Sequence, residues 1–140
     1  MNTKLIKIIF CLFFITNNLL ANTDYFNEGL ILYKKNDLEN AKFKFEQDLV
    51  LNPKSEKSYL YLSKIFNSQN KKELEEKNLN TVILLNPKNE EAVFNLAKLK
   101  LEESDYNESK KMIEKLLKFC KNFCQKSKQL KTQIEKSLKK

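Results

Sequence analysis

The feature of the sequence that most constrains its fold is a repeated tripeptide. Asn52-Pro53-Lys54 recurs as Asn86-Pro87-Lys88, with the two prolines 34 residues apart, and each copy follows a helix-like segment ending in Leu. A fixed period of this length is typical of chains built from stacked copies of one helix–turn–helix unit. The period therefore predicts a repeat architecture, whose working part is a surface made by stacking and not a catalytic cleft.

Glycine and proline are too scarce for a fold rich in β-turns. The chain of 140 residues has one Gly and two Pro. We therefore expect an all-helical protein, with polar segments at 34–37, 67–70 and 103–105 as the turns between paired helices. A non-repetitive helical bundle is the alternative architecture.

Alignment on the prolines gives three units, 22–55, 56–89 and 90–121. Five sets of aligned positions suit close helix packing, because small residues let two backbones approach and large ones fill the adjacent groove. A sixth set closes each unit. The positions where a small residue is expected hold Gly29, Ser63 and Ala97, then Ala41, Glu75 and Ser109; the large residues are Tyr25, Tyr59 and Val93, then Phe45, Leu79 and Ile113, then Leu49, Ile83 and Leu117; the closing residues are Pro53, Pro87 and Lys121.

At this register the unit resembles the tetratricopeptide repeat (TPR), a pair of antiparallel helices. The resemblance implies a right-handed superhelix of three hairpins that binds a peptide or helix in a groove lined by the first helix of each repeat. The sequence departs from the family pattern at Asp48, where a small apolar residue is usual, and at Glu75, where Ala is expected. We expect the second unit to pack loosely or to shift by one residue because of Glu75.

The register then defines twelve groove residues. They are Phe26, Asn27, Leu30 and Tyr33 from the first repeat, Leu60, Tyr61, Lys64 and Asn67 from the second, and Phe94, Asn95, Lys98 and Leu101 from the third. Some family members grip a peptide carboxylate with Lys and Asn, but Phe26 and Leu30 replace the polar residues that this mode needs. The alternative role for these residues is packing against the end helix or a neighbouring copy.

The two ends of the chain differ from the repeats. Residues 1–21 have a basic start, a short apolar run and a final Ala21, the order of a secretory signal. We expect export to the periplasm or cell envelope of a bacterium, with an uncleaved anchor or a buried apolar helix as alternatives. Residues 122–140 are expected to form a Lys-rich capping helix with Phe123, Leu130, Ile134 and Leu138 on one face.

Residues 110–140 contain 11 lysines against two glutamates, a net charge of +9. This basic segment gives an alternative function, which is attachment to an anionic membrane or envelope polymer. Nucleic acid is not expected as a partner, because the export signal, the absence of Arg and the few aromatic residues of the segment all argue against it. The sequence leaves the oligomeric state open.

Little in the sequence points to catalysis or to a cofactor. The chain has no histidine, and its single glycine excludes a Gly-rich phosphate loop. The adjacent acid pairs, such as Glu75-Glu76 and Glu90-Glu91, are interpreted as solvated faces and helix-start charges. We therefore expect a non-enzymatic protein that needs no cofactor or metal.

Cys120 and Cys124 are the two cysteines outside the N-terminal segment. In an oxidising compartment such a pair forms a disulfide, which would fix the angle of the end helix. Free structural thiols and a redox or metal role are the alternatives, although no histidine or further thiol completes a ligand set.

Overall fold

The computed structural model of the protein describes residues 24–139, and all regular elements within this range are α-helices. The predicted signal sequence lies outside the described residues. In chain order the helices are α1 (Tyr25–Lys34), α2 (Leu38–Leu51), α3 (Glu56–Ser68), α4 (Lys72–Leu85), α5 (Glu90–Glu102), α6 (Tyr106–Leu117) and α7 (Cys124–Ser137). They pack as three successive hairpins, α1–α2, α3–α4 and α5–α6, followed by α7.

Several helices begin at a polar side chain that caps them. The carboxylate of Asp24 accepts from the backbone N–H of Asn27, and Asp105 accepts from that of Glu108. The side chain of Asn89 caps α5 in the same way, with 2.8 Å between its oxygen and the nitrogen of Ala92. Such caps satisfy backbone donors that have no partner within the helix.

The turns within the three hairpins share one backbone conformation at the same repeat position. Asn36, Asn70 and Ser104 have φ values of 61°, 54° and 65°. Asn tolerates this left-handed region because its short polar side chain bonds locally, whereas Ser does so less well. The turns therefore lie where the polar segments of the sequence predict them.

Between hairpins the two prolines act as predicted. Helix α2 ends at Leu51, two residues before Pro53, and α4 ends at Leu85, two residues before Pro87. Proline has no backbone N–H to continue a helix and clashes with the preceding turn. After α6 there is no proline, and a longer loop leads to α7 at Cys124.

Each pair of neighbouring units encloses its own part of the core. The first part lies between the first two hairpins, the second between the next two, and the third between the last hairpin and α7. The fully or nearly fully buried apolar side chains are, in that order, Ala41, Phe45, Leu62, Ile65 and Phe66; Leu60, Leu79, Val82, Ala92, Leu96 and Leu99; and Val93, Ala97, Ile113, Leu116, Leu130 and Ile134.

Gly29 is the small residue at the crossing of α1 and α2. A β-carbon at this position would lie 2.8 Å and 2.9 Å from two ring carbons of Phe45, which is fully buried. Contacts that short require the ring to move. The requirement for a small residue therefore has a direct steric cause.

The expectation that Glu75 loosens the second unit is wrong. Helix α4 continues through Glu75 without a break, and Leu79 and Val82 that follow are fully buried. The interpretation of Glu75 as part of a solvated face is also wrong, since its side chain is 4% exposed. Asn67 donates to both carboxylate oxygens across the hairpin, at 3.1 and 3.0 Å, and this hydrogen bonding accommodates the acid.

Asp48 is likewise buried in a polar network between α2 and α3. Its carboxylate accepts hydrogen bonds from the hydroxyl of Ser58 and from the amide of Asn52, the latter at 2.9 Å. Burial alone would raise the pKa of Asp48, but hydrogen bonds from Ser55, Ser58 and Asn52 outweigh it and lower that pKa. The departure from the family pattern at this position is therefore compensated locally.

Candidate functional site

The predicted groove residues divide into three groups in the structure. Those of the first repeat lie beside an aromatic cluster, in which the ring centre of Tyr61 is 5.3 Å from Phe45, 5.1 Å from Tyr33 and 5.8 Å from Phe26. Phe26 and Tyr61 therefore contribute to packing between the first two hairpins. Asn27 is exposed, and its amide donates to the capping residue Asp24.

Leu60 requires a correction. It is 9% exposed and lies in the core between the second and third hairpins, against Leu79 and Leu96. Its neighbours Tyr61 and Lys64 stay partly accessible. Leu60 is therefore a packing residue and not a groove residue.

Most of the other predicted residues line two adjoining cavities. The first cavity has a volume of about 420 Å³ and the second about 300 Å³. Lys98 and Glu102 line both, so the two are neighbours. The first is lined by Tyr33, Ser63, Lys64, Asn67, Ser68, Glu75, Glu91, Asn95, Lys98, Leu99 and Glu102, and the second by Phe94, Lys98, Leu101, Glu102, Lys126, Gln129, Leu130 and Gln133.

Both lysines of the first cavity are held in ion pairs. The ammonium nitrogen of Lys64 is 2.8 Å from a carboxylate oxygen of Glu91, and that of Lys98 is 3.5 Å from Glu102. Lys64 also lies over the ring of Tyr61, 4.6 Å from its centre. The positive charge that a peptide carboxylate would need is thus already neutralised within the protein.

Glu75 differs from the other two acids of the first cavity. Among the described residues no ammonium group lies within ion-pairing distance of it, and its hydrogen bonds come from Asn67. Burial is the main cause that raises the pKa of Glu75, and the charges of Glu102 and Glu103 add to it, against the opposing effects of Asn67 and Lys98. The first cavity therefore contains a buried acid without a counter-ion.

The second cavity includes residues that the sequence analysis missed. Helix α7 contributes Lys126, Gln129, Leu130 and Gln133 opposite Phe94 and Leu101 of α5. These four residues follow the i, i+3, i+4, i+7 spacing of one helical face. That spacing was present in the sequence, but only Leu130 was given a role there, on the capping face, and no role was given to Gln129 or Gln133.

The loop before α7 is held at two points. The sulfur atoms of Cys120 and Cys124 lie 2.01 Å apart, at disulfide bonding distance. Glu90, the first residue of α5, accepts the backbone N–H groups of Lys121, Asn122 and Phe123 at 2.7 to 2.9 Å. Slight desolvation would raise the pKa of Glu90, but these three donors outweigh it and lower that pKa.

Glu56, one repeat before Glu90, has an equivalent role. It accepts from the side-chain amides of Asn86 and Asn89, at the end of its own hairpin. The first residue of a repeat thus fixes the loop that ends the repeat. Glu90 is therefore more than a charge at the start of a helix, since it also holds the loop before α7.

The described residues contain no helix long and apolar enough to cross a bilayer. Within residues 24–139, no three or more Cys, Asp or Glu side chains cluster in a way that could hold a metal ion.

Comparison with known proteins shows that the fold is similar to that of solved TPR domains. The sequence profile of the tetratricopeptide repeat matches residues 90–123. No curated protein sequence matches the chain. Three solved structures with 16% sequence identity superpose over most of the chain.

The first TPR domain of Spaghetti (RPAP3), bound to the HSP90 peptide SRMEEVD, has a TM-score of 0.74 over 83% of this chain and 91% of that domain. The Yersinia enterocolitica type III secretion chaperone SycD, in complex with a peptide of the translocator YopD, scores 0.73 over 86% of this chain and 96% of that one. The Sgt2 TPR domain from Aspergillus fumigatus scores 0.70 over 83% and 80%. The profile match falls on the third repeat, and the fold of these TPR domains extends over all three hairpins of this chain.

Proposed function

We propose that this protein is a non-enzymatic interaction module that binds a peptide or helical segment of a protein partner. The observation that supports the proposal is the pair of adjoining cavities, lined mainly by the first helices α3 and α5. Two of the structurally similar domains are bound to peptides. Partly exposed aromatic and amide side chains beside the cavities suit such a ligand, since they offer apolar anchors and hydrogen bonds to peptide backbone.

The working surface in this proposal is the concave side of a right-handed superhelix. It includes Tyr33, Lys64, Asn67, Asn95 and Lys98 of the predicted groove, with Phe94 and Leu101 at its C-terminal end. Leu60 is left out because it is buried.

A pull-down from cell-envelope extract tests the proposal. We compare the native protein with Asn95→Trp, which places a bulky ring in the first cavity whatever the charge of the ligand, and with Lys111→Trp on α6, whose side chain is 78% exposed and lies outside both cavities. A partner bound at the cavities should be lost with Asn95→Trp and kept with Lys111→Trp. Equal retention by both variants would place binding elsewhere.

We further propose that the protein is exported to the periplasm or cell envelope of a bacterium. The basic start and apolar run of residues 1–21 support export, and so does a cysteine pair at bonding distance, because disulfides persist in oxidising compartments. Fractionation followed by mass spectrometry of the N-terminus tests both export and cleavage after Ala21. An intact N-terminus in the cytoplasmic fraction would contradict export, whereas one in the membrane fraction would indicate an uncleaved anchor.

A second candidate function is attachment to an anionic surface through α7. The solvent side of this helix carries exposed Lys128 and Lys136, while its apolar side packs on α5 and α6. Binding to anionic vesicles should then weaken steeply with salt, because it depends on screened surface charges. Lys128→Glu/Lys136→Glu should abolish it, and equal binding to zwitterionic vesicles would contradict it.

A further inference from the structure

The first cavity has an unbalanced negative charge at its base. Its charged lining residues are two lysines, Lys64 and Lys98, and three glutamates, Glu75, Glu91 and Glu102. The pairs Lys64–Glu91 and Lys98–Glu102 cancel. Glu75 is left over, and it is the most buried of the three acids.

The hydrogen bonding of Glu75 is incomplete. Both carboxylate oxygens share one amide nitrogen, that of Asn67, although a carboxylate can accept about four hydrogen bonds. A buried carboxylate is costly unless a cation or several donors accompany it. Burial raises the pKa of Glu75, and the hydrogen bonds of Asn67 and the charge of Lys98 do not offset it.

A partner's ammonium or guanidinium group would supply what Glu75 lacks. It brings several N–H donors and a positive charge into a cavity of about 420 Å³ that is large enough for a side chain. A partner's carboxylate would bind less favourably, because it would first have to displace Glu91 from Lys64 or Glu102 from Lys98.

The adjoining second cavity has a different chemistry. Phe94, Leu101 and Leu130 give it an apolar lining, and Gln129 and Gln133 provide amide groups beside them. Since Lys98 and Glu102 line both cavities, one segment can reach both. The second cavity therefore fits an apolar side chain, with the glutamines placed to bond the partner's backbone.

We infer that the two cavities together bind a partner segment with a basic side chain, held by Glu75, next to an apolar side chain held against Phe94 and Leu101. This inference rests on the proposed function and defines the chemistry of its ligand. It assigns Glu75 and the α7 residues Gln129 and Gln133 to binding, in addition to the residues of the first helices.

Fluorescent peptides test the inference with purified protein. Each peptide has an alanine–serine background with one Leu and one variable residue, which is Lys, Nε-acetyl-lysine or Glu. The number of residues between the Leu and the variable residue is changed from peptide to peptide. We expect the best Lys peptide to bind about tenfold or more tightly than its acetyl-lysine counterpart, a difference of about 1.4 kcal/mol. The Glu peptides should bind least.

Matched variants assign the preference to its residue. Glu75→Gln keeps the shape of the side chain and should abolish the preference for Lys over acetyl-lysine. Glu73→Gln is the control, because it makes the same change on the same helix at an exposed position outside both cavities. A further peptide has Ser in place of the Leu of the best Lys peptide. Leu101→Ser should reduce the preference for the Leu peptide over this Ser peptide and leave the preference for Lys over acetyl-lysine unchanged.

Each result is decisive. Persistence of the Lys preference in Glu75→Gln, a preference for Glu peptides, or no binding by any peptide would overturn the inference. A partner that is lost with Asn95→Trp but binds without a basic residue would overturn it and leave the proposed function intact. Self-association that Glu75→Gln abolishes would also overturn it and assign the cavity to a second copy of the chain.

Discussion

At the residue scale, Asp48 and Glu75, the two acids that depart from the family pattern, are both buried, but their pKa values shift in opposite directions. Asp48 is surrounded by hydrogen-bond donors, which lower its pKa, whereas Glu75 is poorly supplied, and its pKa is raised. A lowered pKa means that the folded state binds fewer protons than the unfolded state. Asp48 therefore stabilises the fold above the ordinary aspartate pKa of 3.8, and Glu75 has the reverse pH dependence.

Replacement of Asp48 by Ala should destabilise the protein by about 1–3 kcal/mol, because it leaves the buried hydroxyl of Ser58 without its acceptor. Urea unfolding at neutral pH measures the change. Glu46→Ala, an exposed acid on the same helix, is the control and should change the free energy of unfolding little.

The pH dependence gives a second reading of the same variant. The native protein loses the contribution of Asp48 as the pH falls from the ordinary aspartate value through the lower pKa of the folded state, whereas Asp48→Ala has no such contribution to lose. The stability difference between the two should therefore shrink in acid. A difference that grows in acid would contradict this role.

Ser104 has the left-handed backbone conformation that Asn adopts in the other two turns. Replacement by Gly should stabilise the protein by about 0.5–1 kcal/mol, because glycine has no β-carbon to oppose a positive φ. Asn70→Gly is the comparison and should gain less, since Asn already tolerates this region. Thermal unfolding measures both, and a lower midpoint for Ser104→Gly would refute the argument.

At the scale of elements, α7 covers the last hairpin and also forms one wall of the second cavity. Ile134 is fully buried in the third part of the core, but Leu138 is 43% exposed, although the sequence pattern places both on one apolar face. The helix therefore contributes to packing over only part of that face.

Ile134→Ala should destabilise the protein by about 2–5 kcal/mol, as expected for a buried side chain that leaves a cavity. Leu138→Ala, four residues later, should lose about 1 kcal/mol or less, because much of its side chain is already in water. Equal losses in urea unfolding would show that the end of α7 packs differently.

The cysteine pair ties the start of α7 to the end of the third hairpin. If the bond forms in the native compartment, a thiol count on protein purified from that compartment should find neither Cys120 nor Cys124 reactive. Reduction should lower stability by about 2 kcal/mol in the chain-entropy picture, because the closed loop is short. Two reactive thiols in the unreduced protein would exclude a structural bond.

At the scale of the whole molecule, the core is a series of separate parts, each shared by neighbouring units. Stability in such an array is approximately a sum of nearest-neighbour contributions. Phe45 and Ile65 share the first part, whereas Ile134 lies in the last.

Phe45→Leu and Ile134→Val should therefore change the free energy of unfolding additively, within about 0.5 kcal/mol. Phe45 and Ile65 lie in the same part of the core. The combined effect of Phe45→Leu and Ile65→Val should therefore deviate from additivity by more than about 0.5 kcal/mol. Double-mutant cycles in urea check both pairs, and strong coupling of the distant pair would indicate one continuous core.

The sequence by itself determined the helices, their turns and their order, because these features depend on neighbours within a few residues. Pro53 and Pro87 end helices wherever they stand, Asp and Asn cap helices locally, and the 34-residue period places the same signals in each copy. The small residue Gly29 was also predictable, since the crossing of two helices recurs at one position of the repeat.

Only the tertiary structure decided which polar residues are buried and where the cavities lie. Glu75 looks like a surface acid in sequence, and its burial depends on Asn67 across the hairpin. The role of Glu90 depends on a loop that begins 31 residues later, and the second cavity requires α7 to pack beside α5. These contacts join residues distant in the chain, so their chemistry follows from how the helices pack and not from the spacing within any one helix.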